Sequence, residues 1–516
     1  MASRPAALPD SADRALLPVK HRMTLMFGIM AVSICQFLDA TIANVALPHM
    51  QSSLGASVDT ISWVLTSFII AAAIFTPLTG WLADRFGSRN LFIWSTGLFL
   101  LASALCGAAT SLPEIVLFRA LQGAASAMLA PLSQTIILDI NPPSKQTSAM
   151  TLWGATSMIA PISGPFLGGF LTDQLNWRWV YYVNLPVGLP ALMVLYMLLP
   201  SRPILDRKLD LTGFGLIGLG LGALQLLLDR GQQQDWFDSW EIIFEAIVAI
   251  SCLWMFIIRS RFSQHPLFRP EIYRDRNFLA GMGFGVVLGL TNIAFSAVLP
   301  SMFQNIYGYP VMTAGLLMAP RGIGMTLAMF PNAWASRKFD YRMLICLGLL
   351  VQALSMWLMT QWALEMGTWP IIFAGLVQGM GLGMMFAPIS LMAYSTLRPE
   401  VRTDASSLLG LFRSLGGSFG ISYIVTMVTR ATQQAHVELG AHVTNAVVPG
   451  VNLEAVTAMG GNLGGAAMMM LNAEVSRQAA MIAYLQDFQS VTVLLLCLAP
   501  LPFLLKKGKI APPPSQ

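Results

Sequence analysis

Long apolar runs, separated by short stretches that are charged or rich in turn-forming residues, fill almost the whole chain. Most runs approach or exceed the ~20 residues that an α-helix needs to cross a bilayer. The pattern therefore predicts a series of membrane-spanning helices with little sequence left over for other domains. The predicted spans are 23–47, 61–82, 91–109, 113–140, 147–172, 180–199, 211–228, 241–258, 278–302, 313–334, 343–362, 369–396, 404–429 and 487–505.

Composition supports an all-α membrane protein. Of the 516 residues, 55% are apolar and only 11% are charged, whereas roughly a quarter are charged in a soluble domain. These values exclude a soluble enzyme, a disordered protein and a nucleic-acid binder. The five cysteines lie in apolar runs without metal-ligand spacing, so they are interpreted as packing residues. No P-loop and no nucleophile–base pair is present, and we predict no enzyme activity, no cofactor and no metal site.

The positions of the basic residues predict the orientation in the membrane. An even number of spans places both termini on one side, and the loops on that side carry 23 of the 30 lysines and arginines, against four in the opposite loops. Cytoplasmic loops are the ones enriched in Lys and Arg. We therefore predict that the tails 1–22 and 506–516 are cytoplasmic and that the protein is a multi-pass protein of the inner membrane.

The first and last thirds of the chain resemble each other. Val45-Ala46-Leu47-Pro48 recurs as Ala297-Val298-Leu299-Pro300, and Gln122-Gly123 recurs as Gln378-Gly379. The repeat predicts two six-helix halves in the same orientation, 23–199 and 278–505, joined by a linker 200–277 that contains two inserted spans. Two parallel six-helix halves are the plan of transporters that rock around a site near the membrane midplane.

Two charges inside the first half are the candidates for chemistry. Asp39 lies in the outer part of the first span, and Arg119 lies in the fourth. Each is about 10 Å from the outer end of its span, if Pro48 ends the first helix and Pro113 begins the fourth. A buried aspartate is costly unless it is paired or protonated, so Asp39 is a candidate proton carrier beside Arg119 in a central cavity. A fixed structural ion pair is the alternative.

The repeat keeps these charges out of the second half. Thr291 replaces Asp39 there, and Gly375 replaces Arg119. The predicted proton chemistry is therefore confined to the first half, whereas the repeated glycines and prolines belong to a shared scaffold.

The turn between the second and third spans predicts a gating loop. Gly87 permits a tight turn, and the charged side chains can pair with helix ends and so stabilise one conformation. The residues of the predicted gating loop are Gly80, Asp84, Arg85, Gly87 and Arg89.

The fifth span contains a segment rich in proline and glycine. Proline bends a helix and small residues let helices approach closely, which predicts a mechanical role for the segment. Its residues are Gly164, Pro165, Gly168 and Gly169.

Other polar and aromatic residues within the spans can line a central cavity. For each of them, ordinary packing between helices is the alternative. The candidates are Gln36, Phe37, Asn44, Trp63, Asn292, Gln304, Arg321 and Arg413. Arg413 corresponds to Ser157 in the repeat, beside the glycine-rich segment, so we expect it to pair across the halves.

The segment 430–486, on the outer side, is unusually long. Residues 472–484 have a helical pattern, with Asn472 as the expected cap. The segment is interpreted either as a loop that extends the last span or as a docking surface for a periplasmic adaptor protein.

Taken together, these segments resemble the signature motifs of the major facilitator superfamily, in its fourteen-span drug–proton antiporter branch (EmrB/QacA-like). Gly80–Arg89 resembles the superfamily's loop motif, although Ser88 stands where a basic residue is usual. The segment from Arg119 to Gly123 resembles the proton-linked arginine motif, and Gly164–Gly169 resembles the antiporter motif. The resemblance, over about residues 23–505, implies the major facilitator fold.

The predicted function is proton-coupled multidrug efflux, in which amphipathic or cationic compounds are exported by alternating access in exchange for protons. One alternative is a proton-coupled exporter of a specific metabolite, siderophore or lipid-like product. Another is a non-transporting membrane receptor or assembly platform. The expected partners are small-molecule substrates, protons and the lipid bilayer.

Overall fold

A computed structural model describes residues 14–202, 204–205, 207–442 and 462–504. Helices occupy all fourteen predicted spans within these ranges. They are α1 (Arg22–Leu54), α2 (Trp63–Phe86), α3 (Ser88–Ala108), α4 (Leu112–Ile140), α5 (Pro143–Gln174), α6 (Trp179–Leu198), α7 (Leu211–Arg230), α8 (Trp240–Phe262), α9 (Arg276–Asn305), α10 (Val311–Lys338), α11 (Tyr341–Met359), α12 (Thr368–Tyr394), α13 (Arg402–His442) and α14 (Asn462–Leu498).

Twelve helices in the described part of the chain are long and apolar enough to cross a membrane. The helices α5 and α10 are the two that fall outside this set, so fourteen crossings and cytoplasmic termini stay predictions. Most of the predicted tails and the middle of the predicted outer segment, at 1–13, 443–461 and 505–516, lie outside the described residues.

Three predicted helix ends are wrong, and all three helices are longer than predicted. The first helix does not end at Pro48 but continues to Leu54, where Gly55 terminates it with φ = 62°. Helix α13 runs well past residue 429, and α14 begins well before residue 487. Apolar runs mark the membrane thickness, whereas these helices continue beyond it with polar residues.

Asn472 is therefore not a helix cap. It lies inside α14, where its Oδ1 is 2.9 Å from His436 Nε2 on α13. The prediction that residues 472–484 are helical is confirmed. The two helices thus remain side by side beyond the apolar parts of the chain.

The two halves share their helix crossings, as the repeat predicts. A Cβ added to Gly123 of α4 would collide with the carbonyl oxygen of Phe68 on α2, and one added to Gly379 of α12 would collide with that of Arg321 on α10. The offset that relates Trp81 to Trp334 also relates Phe68 to Arg321. The same backbone contact is therefore built twice.

The second half departs from the first in one helix. Helix α9 contains a π-helical segment, Leu290–Ala294, at the position where α1 is a regular helix through Asp39. A π segment shifts the register of backbone hydrogen bonds and leaves carbonyl groups open to other donors. Thr291, the counterpart of Asp39, lies within this segment.

The inserted helices α7 and α8 pack against each other, and α7 contacts both halves. Thr66 of α2 donates a hydrogen bond to Asp229 of α7, and Gln225 of α7 donates one to Ser418 of α13 at 2.9 Å. At the other end of α7, Asp210 accepts from the Gly213 N–H and from Arg259 of α8. Burial raises the pKa of Asp210, but these hydrogen bonds outweigh burial and hold that pKa below its ordinary value.

Candidate proton-coupling site

The side chains of Asp39 and Arg119 meet in the interior of the first half. Arg119 Nη1 lies 2.6 Å from Asp39 Oδ2, and the two side chains are 1% and 0% exposed. Pro113 lies in the first turn of α4, as predicted, and brings Arg119 to the depth of Asp39. The expectation that both residues share one layer is therefore met. Both side chains are enclosed in this conformation, so the expected cavity is not open at this pair.

Two amide side chains complete the surroundings of Asp39. Gln122 Nε2 and Asn184 Nδ2 donate to Asp39 Oδ1 at 3.0 and 2.9 Å. With Arg119, they give this carboxylate three donors, which stabilise its ionised form. We call Asp39, Arg119, Gln122 and Asn184 the Asp39 network. The role of Asn184 was not predicted, because nothing in the α6 sequence marks it as a partner of Asp39.

Arg119 is held from several directions besides Asp39. Its Nε donates to the carbonyl oxygen of Val64 at 3.1 Å, and its Nη1 donates to Gln122 Oε1 at 2.9 Å. The guanidinium lies over the rings of Phe68 and Tyr181, with Cζ 4.3 and 5.6 Å from the two centroids. A planar guanidinium can donate several hydrogen bonds while it stacks on rings, whereas a lysine cannot.

The glycine-rich segment of α5 lies directly behind Asp39. A Cβ on Gly164 would collide with Thr41 of α1, and one on Gly168 would come within 3.0 Å of Ile42. Gly169 is half-buried, and the side chain of Pro165 lies outside the described residues. Gly164 and Gly168 thus let α5 pack closely against the part of α1 that carries Asp39.

The gating loop pairs with the linker and, through it, is connected to the second half. Asp84 Oδ2 accepts from Arg207 of the linker at 3.3 Å and from Arg269 at 3.0 Å. Arg207 also lies 3.0 Å from Asp404 at the start of α13. Gly80 packs so closely on Asp404 that a Cβ would collide with its carboxylate. These ion pairs join the first half, the linker and the second half at this end of the molecule, which we call the gating-loop end.

Arg89 of the gating loop bonds within the first half. Arg89 donates to the carbonyl oxygen of Tyr196 at 2.7 Å, near the end of α6. Gly87 has φ = 82°, a conformation that favours glycine. The side chain of Arg85 is exposed.

A second group of charges closes the gating-loop end. Arg202 of the linker donates to Asp139 of α4 at 2.6 Å, and Arg402 of α13 lies 4.0 Å from the same carboxylate. Tyr394 of α12 also donates to Gln134 of α4 at 2.8 Å. The two halves are therefore closed against each other at this end.

Sequence reasoning did not identify the partners of the gating loop. In the sequence, the basic residues of the linker indicate only the orientation in the membrane, and no pattern marks an acidic residue of α4 or α13 as their partner. The available signal was that Asp139 and Asp404 each lie at the gating-loop end of a helix, and that Asp404 is close to Arg398 and Arg402 in the sequence. The partners missed are Asp139, Arg202, Arg207, Arg269, Arg402 and Asp404.

The candidate cavity residues of the first half are dispersed. Gln36 donates to the carbonyl oxygen of Ser126 at 2.8 Å, and the Phe37 ring lies 5.9 Å from that of Trp153. Trp63 lies under Arg230 of the insert, and Asn44 is exposed. None of these four contacts the Asp39 network through a hydrogen bond described in the structure.

In the second half, Arg321 is the central polar residue. Its Nη2 donates to the carbonyl oxygens of Thr291 and Asn292 at 3.1 and 3.0 Å, and its Nη1 donates to Ser296 at 2.8 Å. Arg321 thus occupies carbonyl groups of the π segment. Gln304 bonds only within its own helix, to the carbonyl oxygen of Pro300.

Arg413 does reach across the halves, as expected, but it contacts aromatic rings. Its Cζ lies 5.9 Å from the ring of Trp153 on α5 and 5.5 Å from that of Phe386 on α12. A cation over ring faces is stabilised without an acidic partner.

Comparisons with known proteins agree with this architecture. Residues 29–421 match the Major Facilitator Superfamily. The chain is 36% identical to the multidrug export protein EmrB of Haemophilus influenzae over 81% of the chain and 83% of that relative. It is 33% identical to the fatty acid resistance protein FarB of Neisseria gonorrhoeae over 94% and 96%. The crystal structure of the human organic anion transporter MFSD10 has the same fold, with a TM-score of 0.57 at 13% identity, over 92% of this chain and 98% of that one.

Proposed function

The chain belongs to the major facilitator superfamily, and on that premise we propose that it exports amphipathic or cationic compounds in exchange for protons taken up at Asp39. It is a multi-pass membrane protein and a proton-coupled multidrug efflux transporter, not an enzyme. Similarity to EmrB over most of both chains supports drug export. The observation that carries the proton-coupling role is the buried ion pair between Asp39 and Arg119.

The Asp39 network gives a physical route to proton exchange. Asp39 is ionised while Arg119, Gln122 and Asn184 donate to it, because the three donors offset the cost of burying its charge. A movement that separates α1 from α4 removes the arginine, and the carboxylate then binds a proton instead. A cationic substrate competes with Arg119 and with the proton for the carboxylate oxygens of Asp39. Proton and drug therefore occupy the site in turn.

The gating-loop end supplies the second requirement, an alternating barrier. With this end on the cytoplasmic side, the ion pairs of Asp84, Arg207 and Asp404 close the path to the cytoplasm in the conformation described. Opening to the cytoplasm requires these pairs to separate. These side chains are at most 15% exposed, so the pairs favour the closed form and salt screens them only weakly.

Two finer assignments belong to the same proposal. We place the protein in the inner membrane, with the basic loops in the cytoplasm. A periplasmic adaptor protein is the partner proposed for the outer segment, where α13 and α14 extend past the apolar runs and are joined by the contact between His436 and Asn472.

A second candidate function is export of a lipid-like product. It is favoured by the 33% identity to the fatty acid resistance protein FarB, which extends over nearly all of both chains. The same proton chemistry serves either cargo. The two candidate functions differ in which compound stimulates proton movement.

Everted membrane vesicles test the proposal. Wild-type vesicles with an imposed pH gradient should accumulate a cationic dye, and addition of the dye should release protons. A fatty acid replaces the dye in a parallel arm. Asp39→Asn should lose proton-coupled accumulation in both arms, because an amide cannot be ionised or protonated.

Asp173→Asn is the matched control, since Asp173 is an exposed aspartate on α5. It should behave as the wild type does. Full proton-coupled export by Asp39→Asn would refute the role of this carboxylate, and absence of substrate-dependent proton movement in the wild type would refute the transport proposal itself.

A further inference from the structure

The second half contains a counterpart of the Asp39 network with its charges rearranged. Thr291 and Gly375 replace the acid and the arginine, and Gln378 corresponds to Gln122. When Tyr181 of α6 is aligned with Tyr484 of α14, Asp487 stands at the position in the second half that corresponds to Asn184. The second half therefore has a carboxylate on its last helix, where the first half has the amide that donates to Asp39.

Asp487 is buried without a partner. Asp487 is 3% exposed, and its Oδ2 atom accepts no hydrogen bond. No lysine or arginine of the described residues forms an ion pair with it. The amide of Gln378, which is fully buried, has no partner on either its oxygen or its nitrogen, in contrast to Gln122.

Aromatic rings surround the turn of α14 that carries Asp487. The ring of Phe488 lies 5.6 Å from that of Trp362, 6.0 Å from that of Phe295 and 6.5 Å from that of Tyr484. The indole nitrogen of Trp362 is also buried without a partner. These rings lie beside the turn that carries Asp487, and no hydrogen bond among the described residues reaches its carboxylate.

The charged residues of the packed helices lie away from Asp487. The contact between His436 and Asn472 fixes the register of antiparallel α13 and α14, which puts Asp487 opposite about residue 421 of α13. Arg413 and Arg430 are then each about 12–13 Å away along the helix axis. On α11, Arg342 lies at the opposite end of the helix from Trp362. Tyr484, one turn earlier on α14, is the titratable neighbour.

Arg321 does not neutralise Asp487 in this conformation. Its guanidinium contacts Ser296 of α9, whereas Asp487 adjoins Phe488, whose ring packs against the neighbouring Phe295. Arg321 and Asp487 form no ion pair among the described residues, although the helices that carry them both contact α9. The cation binds carbonyl groups of the π segment instead.

We propose that Asp487 carries a proton in this conformation and is a second proton-binding site of the transporter, separate from Asp39. An ionised carboxylate that is buried without a cation is strongly destabilised, whereas the neutral acid needs no counter-ion. Trp362 follows α11 at the end remote from the gating loop, so the proton enters Asp487 from the outer side. It leaves to cytoplasmic water when the alternate conformation hydrates the carboxylate.

This inference rests on the proposed proton-coupled export and adds one proton to each cycle. Because one pH unit across the membrane corresponds to about a tenfold gradient per coupled proton, the number of protons is measurable. We would reconstitute the wild type and Asp487→Asn in liposomes and measure the steady-state gradient of the cationic dye at a series of imposed pH gradients. The variant should lose about a factor of ten in attainable gradient per pH unit.

Glu245→Gln is the matched control. Glu245 is a buried acid on the inserted helix α8 and its Oε2 has no partner, but it lies outside both six-helix halves. It should retain the wild-type dependence on the pH gradient. The same dependence in Asp487→Asn as in the wild type would overturn the inference while leaving drug export intact, whereas a wild type without dye transport would instead refute the proposed function.

Infrared spectroscopy tests protonation without transport. The difference spectrum between wild type and Asp487→Asn at neutral pH should contain the C=O stretching band of a protonated carboxylic acid. A carboxylate band in its place would overturn the inference. Asparagine imitates the neutral acid in size and charge, so failure of this variant to fold, judged by its elution in detergent, would also contradict a protonated Asp487.

Discussion

The two halves of the transporter have the same scaffold, but they differ in how their buried polar side chains are paired. Gly123 and Gly379 bring equivalent helices into the same backbone contact. In the first half, Gln122 beside this contact bonds to both members of an ion pair, whereas in the second half Gln378 has no partner. The difference teaches that the repeat keeps the helix packing, whereas the buried charges and their partners differ between the halves.

The same contrast extends to the two buried arginines. Arg119 neutralises Asp39, but Arg321, at the position of Phe68, donates to backbone carbonyls of the π segment. One arginine stabilises the carboxylate that we propose as the proton carrier. The other stabilises an irregular helix and has no acidic partner among the described residues.

Replacing the two arginines should have the largest effect and should separate the halves most sharply. Arg119→Ala leaves the buried carboxylate of Asp39 without its cation, which costs about 3–5 kcal/mol. Arg321→Ala leaves carbonyl groups of Thr291 and Asn292 without donors, which costs about 1–3 kcal/mol. Thermal unfolding in detergent should therefore show the larger loss of stability for Arg119→Ala.

A double variant controls the interpretation of that result. Adding Asp39→Asn to Arg119→Ala removes the unpaired charge, so it should recover part of the lost stability. Arg119→Lys should not recover full stability, because a lysine cannot donate to Val64, Gln122 and Asp39 together while stacking on Phe68. Equal losses for Arg119→Ala and Arg321→Ala would mean that the ion pair contributes no more than the backbone contacts do.

Adding a methyl group at the shared contact should affect both halves alike. In Gly123→Ala and Gly379→Ala, the new Cβ collides with a carbonyl oxygen of the facing helix, and the helices must separate. Overpacking of this kind costs about 1–3 kcal/mol. We expect similar decreases in thermal stability for both variants, measured in the same detergent.

Gly375→Ala is the control for the second half, because the nearest atom to its Cβ would be the Arg321 nitrogen at 3.8 Å. This is ordinary van der Waals contact, so the variant should be as stable as the wild type. If only one of Gly123→Ala and Gly379→Ala lost much thermal stability, the two equivalent helix contacts would not contribute equally to stability, despite their similar backbone geometry.

The sequence predicted the repeated scaffold and the meeting of Asp39 with Arg119, since periodicity and spacing along a helix determine depth and packing. It did not predict that Asn184 and Gln122 complete the site, because their contacts depend on the rotation of α6 and α4. The pairing of Arg207 with Asp84 and Asp404 was also missed. That contact joins residues far apart in the chain, and no local pattern specifies it.

The counterpart of Asn184 was hidden for a related reason. The long outer segment before α14 breaks the nearly constant offset of the repeat, so alignment of the earlier helices does not extend to Asp487. The sequence does not indicate the π segment of α9 either, because the residues of Leu290–Ala294 are compatible with an ordinary helix. The π segment and the burial of Asp487 without a partner are seen only in the three-dimensional structure.

The smallest predicted difference concerns the two equivalent glutamines. Gln122→Leu removes a donor from Asp39 and an acceptor from Arg119, and interhelical hydrogen bonds in membrane proteins contribute about 0.6–2 kcal/mol each. Gln378→Leu removes two buried atoms that have no partner, so it should be neutral or slightly stabilising. Thermal unfolding of the two variants should therefore differ in sign or nearly so. If Gln378→Leu instead lost as much stability as Gln122→Leu, the amide of Gln378 would have to bond within the folded protein, and the second half would be as fully paired as the first.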